Sequence, residues 1–278
     1  MAKETPTSLN PRFEIRRLEP AHLDWAKAII MHTNTFHSPV WPILYPENKA
    51  RRLYDGFAGA DYLIQHQIES GMSFGVFDKE YVFRYPESEK TGGALHWDMT
   101  DETATGEQLL HQMDFPLVSI AVAYDAAHPL DESKLTSLLA ALPAYGEVMH
   151  QLDVLDIRKK TENDTTTDTK PETDATTTRK LMRNGTSTRA DYEGFKLMKT
   201  TAHLLMRHAA GEGYNVIEIP TLHNAVHHVW ANPPAPFKST VVAEFNFKDL
   251  EREEGGVVVK PYAHINQVAS KIIVSLAT

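Results

Sequence analysis

The chain has 278 residues, 42% of them apolar and 23% charged, the composition of a globular protein large enough to bury its own core. It has no cysteine, which excludes a disulfide scaffold, a thiolate nucleophile, Cys-ligated zinc and an iron–sulfur cluster. Its 28 basic and 37 acidic residues leave a net charge of −9, which argues against a general nucleic-acid binder with a basic face.

The first ten residues are polar, with no apolar run of signal-peptide type, and are expected to be disordered. No stretch is long and apolar enough for a membrane span, so the expected setting is the cytoplasm, without membrane partners. Residues 13–18 read as a strand. Pro20 then sits where a first-turn proline is tolerated, and Leu23, Ala26, Ile29 and Ile30 recur at helical spacing. Pro39, Pro42 and Pro46 make 37–46 a loop carrying large apolar side chains, either packed on the core or forming one wall of a pocket.

Residues 47–69 read as helix, interrupted near Gly56 and Gly59, and 72–77, 81–85 and 94–99 as antiparallel strands. The run LVSIAVAY (117–124) is almost continuously apolar, as in a strand buried on both faces. Helices are expected over 131–142 and 144–155. The stretch 161–178, TENDTTTDTKPETDATTT, is half threonine. It lacks the apolar surface to offset its ordering entropy, so a disordered insertion is expected over about 158–184.

The strongest helix pattern is 191–210, where Phe195, Met198, Ala202, Leu205, Met206 and Ala209 form one stripe, stopped by Gly211 and Gly213. It follows the Gly/Ser/Thr-rich run RNGTST (183–188). A loop feeding a helix N-terminus presents unpaired N–H groups and the positive end of the helix dipole, a site suited to phosphate. Residues 216–220 read as strand, 222–230 as helix, and 239–247 and 272–276 as strands.

The stretch from Arg183 to Pro234 resembles the GNAT superfamily of acyl-CoA N-acyltransferases. The match is Arg189-x-x-Tyr192-x-Gly194 against the family's Arg/Gln-x-x-Gly-x-Gly/Ala, then GFKLMKTTAHLLMRHAAGEGYNVIEIP, then HNAVHHVW. The Trp-x-Asn-Pro-Pro ending resembles a fungal branch. The resemblance implies a single α/β (α+β) domain with a mixed, mostly antiparallel central sheet flanked by helices. It implies acetyl transfer from acetyl-CoA to a primary amine of a small molecule or peptide, in a monomer or homodimer without a metal. It places the pyrophosphate at Arg189, Ala190, Asp191, Tyr192, Glu193 and Gly194, and the pantetheine arm on Ala121, Val122 and Ala123. His223, Asn224 and Trp230 then flank the thiol, and the insertion falls between the fourth strand and the pyrophosphate loop.

Two positions depart from the family pattern. Tyr192 stands for the motif's middle glycine. The usual acid, a Tyr, becomes Trp230 if His223 aligns with the family's Asn, or Ala231 if Asn224 does. Transfer to an amine needs a base for the amine and an acid for the thiolate. The candidates are Asp98, Asp125, His96 and His128 as bases and Tyr124 as acid. A GNAT-shaped module that binds acyl-CoA or a partner without turnover is the alternative. His223 and His227, four apart on one helix face, allow a metal, but no third ligand is evident. No Gly-x-Ser-x-Gly elbow supports a hydrolase.

Overall fold

Alternation of buried and exposed side chains makes Phe13–Arg17 an edge strand, β1. The computed structural model describes residues 9–159 and 178–276. Chain positions 1–8 and 160–177, which hold most of the expected disordered segments, lie outside the described residues. After β1 the chain forms α1 (Leu23–His32), a wider π-type turn (Thr33–His37), and the single turn α2 (Trp41–Leu44). Then come α3 (Lys49–Gly59), α4 (Asp61–Glu69) and β2 (Phe74–Asp78). A small subregion holds α5 (Pro86–Thr91), β3 (Ala94–Leu95), α6 (Gly106–His111) and β4 (Met113–Asp114). Next are β5 (Leu117–Asp125), α7 (Thr136–Ala141), α8 (Pro143–Leu155) and β6 (Lys180–Thr188). The chain ends with α9 (Leu197–Gly211), β7 (Val216–Thr221), α10 (Asn224–Ala231), β8 (Lys238–Asn246), β9 (Arg252–Glu254), β10 (Val257–Val259) and β11 (Val268–Ser275).

Seven strands form the central sheet in the order β1-β2-β5-β6-β7-β11-β8. Every neighbouring pair is antiparallel except β6 and β7, which run parallel. This is the mixed, mostly antiparallel sheet expected of the GNAT type. Helices α1 and α4 cover one face of β5, with α3 packed on both, and Ile29, Leu53, Ile64, Ile120 and Val122 share one core cluster. Helix α8 continues that layer over β8 and β11. Helices α9 and α10 cover the opposite face, where Leu205, Met206 and Trp230 meet Leu181, Ile217 and Ile272. Strand β5 is buried along residues 117–124, as its unbroken apolar run predicts.

Two expectations are corrected here. Residues 81–85 are not a strand. The buried carboxylate of Asp114 accepts the N–H groups of Arg84 and Tyr85 and the hydroxyl of Tyr81, so this backbone finds its partner in a side chain instead of a ladder. Residues 180–188 are neither insertion nor loop but the strand β6, paired from Ser119↔Thr188 to Asp125↔Leu181. A fully buried β5 needs partners on both edges, and the β-branched threonines of RNGTST suit a strand. The long connection therefore precedes β6, the fourth strand from β1 in the sheet, and does not follow it.

Candidate active site

The parallel pair β6 and β7 is joined only at Lys180↔Val216, Leu181↔Ile217 and Met182↔Glu218. Beyond Met182 the strands part. Strand β6 stays with β5 and takes a bulge at Asn184-Gly185, where the pairing steps from Ala123↔Arg183 to Ala121↔Thr186. A cavity of about 250 Å³ occupies the gap and is lined by residues 183–187 of β6 and 219–221 of β7. Ile30, Leu63, Leu139 and Tyr145 line it from one face of the sheet, and His223 and Val226 from the other. The cavity thus passes through the sheet. Its walls are mainly apolar with a few polar groups, the composition of a small-molecule site. Thr33 and His37 reach it from the π-type turn and Trp41 from α2, so the proline-rich segment forms one wall.

Arg183 sits where the two strands begin to diverge. It is 1% exposed, and it forms no ion pair among the described residues. Its Nη1 donates to the carbonyls of Gly185 and Val122, while Nε and Nη2 have no partner. Its guanidinium carbon lies 5.5 Å from the centre of the Trp230 ring, and the indole Nε1 of Trp230 is buried without a partner too. Burial pushes the Arg183 guanidinium down to about 9, because nothing nearby compensates the lost hydration.

At the far end of β6 the chain turns through Ala190–Tyr192 and enters α9 at Leu197. The helix begins six residues later than its apolar pattern suggests. Gly194 at φ +87° and Lys196 at φ +59° hold the preceding backbone in the left-handed region. A side chain at Gly194 would meet open space, so its backbone is freely approachable. The first N–H groups of α9 have no intrahelical acceptors and point out of its N-terminus.

The structure separates the residues of the Arg189 motif. Arg189 is fully buried. It binds Asp191 through Nε and Nη2, at 3.1 and 2.8 Å, and the carbonyls of Met113 and Phe115 through Nη1. Its donors are committed to the fold and not to a pyrophosphate. Tyr192 turns inward and donates to Asp78 Oδ2 at 2.7 Å, so its ring does not crowd the helix N-terminus. Glu193 and Gly194 remain exposed there, with Glu193 on the cavity.

Ala121, Val122 and Ala123 are also corrected. Strand β5 lies between β2 and β6. The N–H of Ala123 goes to Ser73 Oγ, and its carbonyl accepts from Ser70 and Ser73. That backbone has no open edge for a ligand. The open edge belongs to residues 183–188 of β6.

None of the expected catalytic side chains lines the cavity. Asp125 accepts from Tyr214, Arg179 and the Ala127 N–H. Burial opposes its charge, but these bonds prevail and hold its carboxyl below the usual range. Tyr124 packs edge-on against His66, and burial raises its hydroxyl. Asp98 is exposed and caps the N–H and hydroxyl of Thr100. His96 bonds Ser88, and His128 offers its carbonyl to His66. Asn224 ties α10 to the start of β11 by accepting from the Val268 N–H. His227 reaches Ser270 on β11, whereas His223 caps its own helix, its Nδ1 accepting from the Ala225 N–H.

The cavity's own polar groups went unflagged as chemistry. Tyr145 donates to Asn184 Oδ1 at 3.1 Å, and burial pushes its hydroxyl up to about 12. His37 is exposed at the cavity beside the ring of His32. Their signal was position alone: the aromatic loop for His37, and strand pairing for Arg183 and Asn184.

No family model and no curated protein matches this sequence. Solved structures do. Arylalkylamine N-acetyltransferase 2 from Aedes aegypti is similar over 95% of this chain and 99% of its own, at 13% identity and a TM-score of 0.53. The C-terminal condensation domain of Ebony, in complex with beta-alanyl-dopamine, is similar over 94% and 97%, at 12% identity and a TM-score of 0.51. The likeness is one of fold, and it establishes the GNAT-type architecture of this single domain.

Proposed function

We propose that the protein is an acyltransferase that moves an acyl group, acetyl in the simplest case, from an acyl-CoA to an amine. The observation that carries this reading is the gap between the parallel strands β6 and β7. It ends at the N-terminus of α9 on one side and opens into an apolar cavity on the other. A pantetheine arm fits along residues 184–188, whose backbone faces the gap. A pyrophosphate fits the N–H groups from Gly194 to Met198, where donors without intrahelical acceptors and the helix dipole favour an anion. Trp41, Leu139 and Tyr145 suit an acceptor with an apolar body. The N-acetyltransferase similar to this chain is named for arylalkylamines, which agrees with that wall.

In the reaction the amine nitrogen attacks the thioester carbonyl carbon. A C–N bond forms, the C–S bond breaks, and the thiolate leaves. Of the two imidazoles on the cavity, His223 uses Nδ1 to accept a backbone N–H, so its Nε2 carries the proton and it is not a base in that state. His37 is the imidazole left to take the amine proton. Tyr145, pushed up to about 12, is a neutral donor poorly matched to a thiolate, so the leaving group takes its proton from water.

Calorimetric titration with acetyl-CoA, free CoA and ATP tests the cofactor, and an amine panel tests turnover. Micromolar binding that requires the pantetheine arm is expected, as is acetyl transfer to at least one apolar amine. Binding without turnover on any amine would leave the binding module as the better reading.

A further inference from the structure

We propose that Arg183 and Trp230 form a subsite for a carboxylate, carried by the acyl group of the donor or by the acceptor; the inference rests on the acyl-CoA reading. Arg183 lies at the vertex of the β6/β7 gap, one residue beyond the last paired position, Met182↔Glu218. The α9 N-terminus lies at the opposite end, past Thr188. The intervening strand from Arg183 to Thr188 spans about 17 Å at roughly 3.3 Å per residue. A chain threaded from the helix N-terminus into the gap therefore brings its reactive end to Arg183.

The electrostatics there are uncompensated. A guanidinium that is 1% exposed has lost its hydration and gained two carbonyl contacts but, among the described residues, no counter-charge. Its Nε and Nη2 have no partner among the described residues, and neither has the indole Nε1 of Trp230, whose ring centre lies 5.5 Å from the guanidinium carbon. Buried charges without partners are disfavoured. Arg189, the other fully buried arginine of this region, shows the ordinary solution, with Asp191 on its fork. Arg183 lacks such an acid, and a planar fork with adjacent free donors is the group that binds a carboxylate bidentately. The missing partner belongs to a substrate.

The test has two arms. In the donor arm, calorimetry compares succinyl-CoA and malonyl-CoA with butyryl-CoA and acetyl-CoA. In the acceptor arm, acetyl transfer to tryptophan is compared with transfer to tryptamine. A carboxylate preference of about tenfold or more is expected in one arm, and its loss is expected in Arg183→Met. The Met variant should keep its affinity for free CoA. Thermal shift with free succinate, on wild type and Arg183→Met, gives a readout that needs no CoA. A succinate shift confined to wild type, with no CoA binding, would retain the subsite and discard the cofactor reading. Absence of a carboxylate preference in both arms, with no succinate shift, overturns the subsite. So does an equal loss of affinity for all CoA species in Arg183→Met, which would assign the guanidinium to the pantetheine arm.

Discussion

The hydroxyl of Tyr192 donates to Oδ2 of Asp78 at 2.7 Å, and Arg12 grips both oxygens of the same carboxylate. The Asp78 side chain is fully buried. The motif position expected to face a phosphate is instead a clamp between the end of β2 and the approach to α9. Tyr192→Phe should reduce stability by about 1–2 kcal/mol, measured by urea unfolding, and leave CoA affinity unchanged. Burial opposes the Asp78 charge, but the Arg12 and Tyr192 bonds outweigh it and hold the carboxyl below its usual range. That contribution is present above the ordinary carboxylate range and is lost as pH falls through the lowered value. Tyr192→Phe should accordingly narrow the stability difference between neutral and acid pH.

Arg189 is structural. Arg189→Met removes the guanidinium donor from the carbonyls of Met113 and Phe115 and the bidentate partner from Asp191. It should cost about 3 kcal/mol in denaturant unfolding. CoA affinity of the folded fraction should stay within about threefold. A selective loss of CoA binding with unchanged stability would restore Arg189 to the cofactor site.

Gly194 takes the opposite assignment. Its left-handed backbone and open surroundings mean that Gly194→Trp strains the loop by only about 1 kcal/mol. The indole would nevertheless lie over the α9 N-terminus. CoA should bind at least about tenfold more weakly, while circular dichroism and the unfolding midpoint change little.

His32 supplies an acid-sensitive lock under the cavity wall. Its Nε2 meets the Gly106 carbonyl at 2.7 Å, and burial pushes the imidazole down to about 4. The unfolded chain binds that proton near pH 6.5, so stability is full above this value and falls as pH drops toward 4. The gap between the two values is worth about 3 kcal/mol. His32→Gln, which can still donate to Gly106 but cannot titrate, should flatten urea midpoints between pH 7 and pH 4.5. An unchanged slope would assign the loss to other groups.

Much of the fold was legible because burial writes periodicity. The unbroken run of β5, the broken helix that became α3 and α4, and the stripe on α9 all follow from which faces meet the core. What was illegible depended on partners distant in sequence. RNGTST looks like a loop until β5 demands a neighbour for its second edge. Residues 81–85 look like a strand until Asp114 takes their N–H groups. The same cause misplaced the site. Family resemblance points to Ala121, Val122 and Ala123, but only strand order reveals that the open edge belongs to β6. Arg183 offered no local cue, because a lone arginine in a polar run reads as solvated. Glu193 and His223 line the cavity, because they flank helix termini that the sequence marks well.

The walls of the cavity have separate origins in the chain. The α9 N-terminus and the two parting strands come from the compact stretch β6–α9–β7. Leu138 and Leu139 on α7, Tyr145 and Met149 on α8, and Leu142 between the two helices all arrive within the excursion between β5 and β6. That excursion acts as an exchangeable cassette. Drift or deliberate grafting within it can reshape this cavity wall while the registers that hold the gap open stay untouched, so pocket shape and scaffold can evolve on separate clocks.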